Sequence, residues 1–382
     1  MHIPCQFISK FMRISVPVVL LFMLTACSTN VSGTSYTPPT KKTPVPPAGR
    51  ITEFPIPAST ANSFPIAITR GPDGNLWFTE FKPRQDQSQA DQSLIGRVTP
   101  GGKVDEFPLP TTNIILTGIT KGPDGNLWFT ESADVNTGSI STYVGKVGYI
   151  TPKGKINEFL LPTANSYPLT ITSGPDGNLW FTDGGTHQIG RMSPTGKLAE
   201  FLIPSANSFP VGITSGPDGN LWFTERGKIG RITPGGQITE FSIPTANSDP
   251  VMITRGPDGN LWFTETTWVG PNITSRIGRI TPTGTVTEFS IPNANSYSQG
   301  GGGYLYGTGF GPIAITNGPD GNLWFTGIFG NGKVGRITPG GTITEFSLSS
   351  ANSVSYGITT GPDGNLWFTG SGNQIGRITS GR

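Results

Sequence analysis

The sequence predicts an all-β chain, a seven-bladed β-propeller of four-stranded blades, and three observations predict it. The first is composition: 54 glycines and 35 prolines among 382 residues leave little room for helix, because each is unfavourable in a helix interior, by about 1 kcal/mol for Gly and about 3 kcal/mol for Pro. Aromatic residues still make up 10% of the chain, enough apolar surface for a core, which excludes a disordered chain. The second is repetition. Gly-Pro-Asp-Gly-Asn-Leu-Trp-Phe-Thr starts at Gly71, Gly122, Gly174, Gly216, Gly256, Gly318 and Gly361, on a base period of about 42 residues with insertions. The third is closure. The chain enters the repeats on Ile51-Thr52-Glu53-Phe54, a lone fourth strand, and leaves on Gln374–Thr379, a third strand without its fourth. Pairing those ends closes the ring and removes the open edges an unclosed array would expose.

At the N-terminus, Lys10 and Arg13 precede an apolar run from Ile14 to Leu24 and then Thr25-Ala26-Cys27, the charged, apolar and small-residue regions of an export signal. The run is about half the roughly 20 residues a bilayer span needs. Residues 1–26 are therefore expected to be a signal peptide, with Met12 as an alternative start to Met1. Leu24-Thr25-Ala26-Cys27 resembles the bacterial lipobox, which implies lipidation of Cys27 and an exported chain anchored in the bacterial cell envelope. Ser28 resembles the outer-membrane sorting preference, should the cell be diderm. After processing, Cys27 is the one cysteine left, which excludes disulfides and cysteine catalysis. Residues 27–49 are rich in Pro, Ser and Thr without apolar periodicity and read as a tether. Lys+Arg 26 against Asp+Glu 24, with no basic stripe, gives no footprint for nucleic acid.

Residues 50–382 form the propeller. Each unit runs x-x-Ile-Thr, Gly-Pro-Asp-Gly, Asn-Leu-Trp-Phe-Thr, Ile-Gly-Arg-Ile-Thr-Pro-x-Gly and Ile-Thr-Glu-Phe-x-Ile-Pro. These are four strands, a to d, punctuated by turns. Trp77 and its equivalents on strand b are expected to pack between blades, and Asp73 and its equivalents to serve the Pro-Asp-Gly turn. In blade four, Glu225-Arg226-Gly227-Lys228 suits a two-residue hairpin. That register sets Trp222 opposite Arg231, and the equivalent arginines are expected to stack on their tryptophans, with Tyr149 in their place in blade two.

Loop parity places the candidate site. The a–b and c–d turns share one face and are short in every blade. The insertions, in the b–c segments Phe81–Leu94, Ser132–Val144 and Thr266–Arg276 and the d–a segment Asn293–Gly311, all fall on the other. Loops on a rigid scaffold commonly carry function. Tyr297, Tyr304, Tyr306 and Phe310 lie among glycines in the last of these segments, a composition that suits stacking on a sugar ring or apolar ligand, or a self-packed lid. Glu80, Glu131, Asp183, Glu225 and Glu265 end their b strands on the same face. They are read either as ligands of a divalent cation or as solvated rim charges and partners of nearby Lys and Arg.

The repeats Gly-Pro-Asp-Gly-Asn-Leu-Trp-Phe-Thr-Glu, Ile-Gly-Arg-Ile-Thr and Ile-Thr-Glu-Phe-x-Ile-Pro resemble those of the virginiamycin B lyase, or streptogramin lyase, family over residues 50–382. The resemblance implies a propeller that opens a cyclic depsipeptide by magnesium-assisted elimination, with histidine as general base. The family's two histidines follow a proline at the start of strand a in the last two blades, where this chain has Ile313 and Tyr356. The family's blade-one tyrosine falls at Ile66 and its acidic residue after the last strand b near Gly370 and Ser371. His187, the single histidine after residue 26, lies in blade three. The expectation is therefore a ligand-binding or protein-interaction propeller with no catalytic residue to name. Tyr356 joins the aromatic candidates, and the partner is a small molecule, a glycan or an envelope protein on the long-loop face. The alternative is a metal-assisted lyase of the family type, or a hydrolase, acting on a cyclic depsipeptide or lactone with magnesium on the acidic ring.

Overall fold

The computed structural model describes residues 47–56, 63–83, 91–136, 141–269, 272–292, 311–328, 332–348, 355–370 and 373–381. The signal, Cys27 and most of the tether lie outside the described residues. From Val45 to Arg382 the chain is one compact unit. It forms seven four-stranded antiparallel sheets arranged as blades. Blade one runs through Phe64–Arg70, Leu76–Lys82, Gln92–Val98 and Val104–Pro108. Blade seven takes Ser355–Thr360, Leu366–Gly370 and Gln374–Ile378 from the C-terminus and Ile51–Pro55 from the N-terminus. The closing pair runs in register from Ile51 opposite Ile378 to Pro55 opposite Gln374.

Each repeated residue has a mechanical reason. In the a–b turn the Gly71 amide donates to the Asn75 carbonyl at 2.8 Å, and Gly74 takes φ +77°, a conformation that costs glycine nothing. Asp73 is the turn's hub: Oδ1 accepts from Trp77 Nε1 at 3.0 Å and from the Asn75 amide at 3.2 Å, while Oδ2 accepts from Asn75 Nδ2 at 2.8 Å. The Asp-Asn-Trp spacing thus satisfies the one polar atom of a fully buried indole. Trp77 packs on Ile119, Phe129 and Ile150 of blade two, as expected for an inter-blade residue. Trp222 lies opposite Arg231 and Glu225 opposite Lys228, the register expected of the two-residue hairpin. Arg231 caps its tryptophan at 5.6 Å from the ring centroid, and Tyr149 leans on Trp128 at 5.1 Å in blade two. Arg231 Nη1 also donates to the Pro282 carbonyl of the following blade at 3.3 Å, so the cation ties blades as well as capping a ring. The strand-c glycine is compulsory, because a Cβ on Gly96 would sit 2.0 Å from Phe78.

Candidate functional site

Two of the insertions on the long-loop face, those of blades two and five, are largely strand where they are described. In blade two the b–c hairpin pairs out to Asn136 opposite Ser141, and in blade five to Val269 opposite Asn272. These two segments, expected to be loops, are therefore extended arms, favoured by their Thr, Val and Ile content. Tyr297, Tyr304, Tyr306 and Phe310 lie outside the described residues.

Strand a of every blade borders a central cavity of about 170 Å³, lined among others by Ile66, Ala67, Thr170, Met252, Ala314 and Tyr356. Its wall is pinned by a belt of threonines from the Leu-Trp-Phe-Thr segments. In six blades strand a shifts register opposite this threonine, as between Pro65 and Ile68, and the bulge leaves an amide without a ladder partner. Thr369 Oγ1 accepts the Gly357 amide at 2.8 Å and donates across the ring seam to the Ile66 carbonyl at 2.7 Å. Thr130, Thr182, Thr224, Thr264 and Thr326 donate in the same way to Leu169, Val211, Val251, Ile313 and Tyr356. Neighbouring backbones meet closely at this belt: a Cβ on Gly357 would stand 2.7 Å from the Ile66 carbonyl oxygen.

The strand-a residue at the Ile66 position is buried in blades one to six, apolar in all but blade two, where it is Thr117, and is the half-buried Tyr356 in blade seven. Burial pushes the Tyr356 hydroxyl further above its ordinary value. Leu169, Val211 and Val251 form one cluster at these positions, with Tyr167, Phe209 and Met252 against it. Tyr167 packs against Tyr143 with the rings tilted by 58° and their centroids 5.0 Å apart. This aromatic patch was not singled out from the sequence, although Tyr167 and Phe209 both precede the strand-a proline. His187 turns its blade-three hairpin at φ +58°, and its Nδ1 accepts the Phe209 amide at 3.2 Å.

The five strand-b carboxylates are not rim charges. All are at most 1% exposed, and each has its own surroundings. Asp183 accepts the amides of Tyr167, Gly185 and Thr186 at 2.8, 3.1 and 3.1 Å and the Ser166 hydroxyl, so it fastens a hairpin. The four glutamates instead face the glutamate of Ile-Thr-Glu-Phe on strand d, across the strand-c glycine. Lys146 bridges Glu131 and Glu158 at 3.0 and 2.8 Å, and Arg276 lies 3.8 Å from Glu265. Burial, with the second carboxylate adding to it, raises Glu131 to about 7 against the opposing pull of Lys146. Burial likewise raises Glu225 to about 8, with Glu240 adding to the shift. Burial raises Glu240 too, but Ser205, Glu225 and Lys228 outweigh it and hold that carboxyl low. Of the two, Glu225 is the carboxyl pushed toward its protonated form. Burial and Glu288 raise Glu265 to about 8. Among the described residues no three His, Cys, Asp or Glu side chains converge as a metal centre. Glu158, Glu240 and Glu288 were read from the sequence as repeat residues only; the signal that finds them is face parity, two residues beyond the strand-b acid's own cross-strand partner.

The profile of the virginiamycin B lyase family matches residues 42–145 and 304–382. Virginiamycin B lyase of Nocardia farcinica is 28% identical over 150 residues, which are 31% of this chain and 50% of that protein; the matched stretch thus spans half of that relative. The solved virginiamycin B lyase of Staphylococcus aureus is 37% identical, with a TM-score of 0.70 over 86% of this chain and 99% of that one. A catalytically inactive histidine-to-alanine variant of the same enzyme, solved with quinupristin, is 36% identical with a TM-score of 0.70, over 86% of this chain and 99% of that one.

Proposed function

This chain belongs to the virginiamycin B lyase family, and on that premise we propose that it is an exported, lipid-anchored member that binds on its long-loop face instead of cleaving by histidine chemistry. The observation that carries this reading is the pair Ile313 and Tyr356 at the family's two histidine positions. A general base must titrate near the working pH. Isoleucine takes no proton, and burial drives the Tyr356 phenol upward, away from neutrality. His187 lies in another blade with Nδ1 engaged by a backbone amide. In the Staphylococcus enzyme a histidine-to-alanine change accompanies inactivity, so a member without histidine at these places loses a group the chemistry relies on.

The cavity of about 170 Å³ falls below the roughly 300–1,000 Å³ of sites that enclose drug-sized ligands. The ligand therefore lies across the mouth of the channel on the Tyr143, Tyr167 and Phe209 side and near Tyr356, and is a flat small molecule, a glycan or an envelope-protein loop. The residues present do not support the family's magnesium chemistry: Glu225 and Glu265 titrate near neutrality as catalytic carboxyls do, but each is turned toward a second glutamate between strands. The test incubates the detergent-solubilised full chain with a type B streptogramin and magnesium and follows ring opening by mass spectrometry. The expected outcome is unchanged antibiotic, together with retention of an envelope glycan or protein that Tyr356→Ala weakens. Multiple turnovers that survive His187→Ala would overturn the reading.

A further inference from the structure

The seven blades are internal controls for one another, and on the short-turn face four of them carry charge at a place where the other three do not. The residue that leads into strand d closes each c–d turn. Its carbonyl accepts the amide of the threonine or serine that opens the turn, at 2.9 Å for Lys103, Lys155, Lys197 and Gln237 and at 3.0 Å for Thr285, Thr342 and Arg50. Arg50 takes this place in blade seven because the N-terminal strand completes that blade. The position is therefore cationic in blades seven, one, two and three, which are consecutive around the ring, and neutral in blades four, five and six. Arg70 and Lys121 end strand a on the same face in blades one and two. All six residues are exposed.

The carboxylates of this arc do not cancel that charge. Asp105 is held by Arg97 at 2.7 Å, with Lys103 at 3.4 Å. The turn aspartates Asp73, Asp176 and Asp363 lie 3.5–4.0 Å from the strand-c arginines of their own blades. Blade two, with Tyr149 in the arginine's place, leaves Asp124 to Asn126 and Trp128. Cations scattered through the sequence are thus gathered in excess on one face, while the strand-b acids end on the other.

A second observation is where the tether joins the ring. Ile51 pairs with Ile378 at the short-turn end of blade seven. The Gly49 amide donates to the Thr379 carbonyl at 2.9 Å, and Thr379 Oγ1 donates to the Pro47 carbonyl at 2.7 Å. The chain therefore enters the ring on the short-turn face, within the cationic arc.

We propose that the short-turn face, through the arc of blades seven and one to three, docks on an anionic phospholipid bilayer, the one that holds the chain's own lipid anchor. This rests on the lipid anchorage proposed above. A tether of residues 27–49, about 70 Å when extended, lets an anchored ring present either face, and the arc selects one. Each basic residue within a Debye length of an anionic surface raises affinity about fivefold, and a basic patch is the second signal that steadies a lipid anchor. Docked this way, the ring turns its long-loop face, with Tyr143, Tyr167 and Phe209, away from the bilayer.

The test reconstitutes the full chain, purified from membranes in detergent, into vesicles of phosphatidylcholine alone or with about one third phosphatidylglycerol. Energy transfer to a headgroup acceptor is read from a fluorophore on Thr195→Cys, in the c–d turn of blade three, or on Leu202→Cys, at the far end of the strand d that follows. Phosphatidylglycerol is expected to raise transfer from position 195 and lower it from position 202. The difference is expected to vanish in 1 M salt, where the Debye length is about 3 Å. Lys103→Gln, Lys155→Gln and Lys197→Gln together place in three blades the residue that blade four already has, and are expected to weaken docking about a hundredfold and remove the difference. Arg226→Gln, an exposed cation of the other face, is expected to leave it. A chain that does not float with phosphatidylcholine vesicles refutes the anchor, and docking is then read on the phosphatidylglycerol vesicles by the same charge dependence. The proposal is overturned by equal transfer in the two vesicle types, by position 202 lying nearer the lipid, or by a difference that survives the three glutamines.

Discussion

Glu225→Gln isolates the proton that the fold stores in blade four. Glu225 is 1% exposed, and burial with the facing Glu240 pushes its carboxyl up to about 8, well above the ordinary carboxylate range. A carboxyl whose folded pKa is raised binds its proton more tightly in the folded state. Its contribution is fully present below the unfolded pKa and is lost as pH rises through the folded one. Between pH 5 and pH 9 a shift of this size removes about 4 kcal/mol, which corresponds to roughly 6 °C in Tm if unfolding entropy is about 2.1 cal/mol/K per residue. Glutamine keeps an N–H that can donate to Glu240 and has no proton to lose. In urea unfolding from pH 5 to pH 9, the unmodified chain is expected to lose stability with rising pH. Glu225→Gln is expected to lose about 4 kcal/mol less over the same interval, while Glu265 and Glu80 sustain the remaining slope. Parallel pH profiles for the two proteins would refute the assignment of the proton to Glu225.

Lys146→Met strands Glu131 and Glu158 without their cation and is expected to cost about 3–5 kcal/mol at pH 8; the loss shrinks at pH 5, where the carboxyls take up protons, and denaturant melts at the two pH values check it. Thr369→Val leaves the Gly357 amide and the Ile66 carbonyl without their seam partner, at about 1–3 kcal/mol for each group left unsatisfied, measurable as a fall in Tm. Asp218→Ala removes the acceptor of Trp222 Nε1 and is expected to cost about 1–3 kcal/mol. In that variant the Trp222 indole N–H should exchange with deuterium faster by NMR, while the other indoles keep their rates.

The architecture was legible because the turns fix it. A two-residue hairpin at Arg226-Gly227 admits one register, and from that register the pairing of Trp222 with Arg231 follows by counting. The acid pairs follow from the same count taken further, since Gly230 lies opposite both Phe223 and Glu240, which puts Glu240 on the face where Glu225 ends its strand. What the count does not supply is burial. Whether a glutamate at a strand end is solvated depends on how the next blade covers it, and that is a property of seven sheets packed together. The charged strand-c residue opposite the strand-b acid was the available clue: Lys146, Lys228 and Arg276 stand where two glutamates meet, Lys333 holds the same place beside Glu345 in blade six, and Leu94 breaks the pattern in blade one.

The threonine belt also explains why a blade can lose its chemistry and keep its place in the ring. Thr130, Thr182, Thr224, Thr264, Thr326 and Thr369 donate to the backbone carbonyl at the Ile66 position of the next blade, and Thr79, Thr130, Thr182, Thr224, Thr264 and Thr369 accept the amide of the following strand-a residue in their own blade. The residues at the positions where the family resemblance expects histidine are therefore tied to the neighbouring blade through main-chain carbonyls. Ile313 and Tyr356 accept from Thr264 at 3.1 Å and Thr326 at 2.6 Å, as Ile66 does from Thr369, and no side-chain atom of these residues enters the bond. Exchanging histidine for isoleucine or tyrosine there changes the mouth of the channel without removing an inter-blade hydrogen bond. Fold and activity are thus separable at these positions by construction, which is why structural likeness to an enzyme carries so little information about proton transfer here and why the side chains at 313 and 356 carry so much.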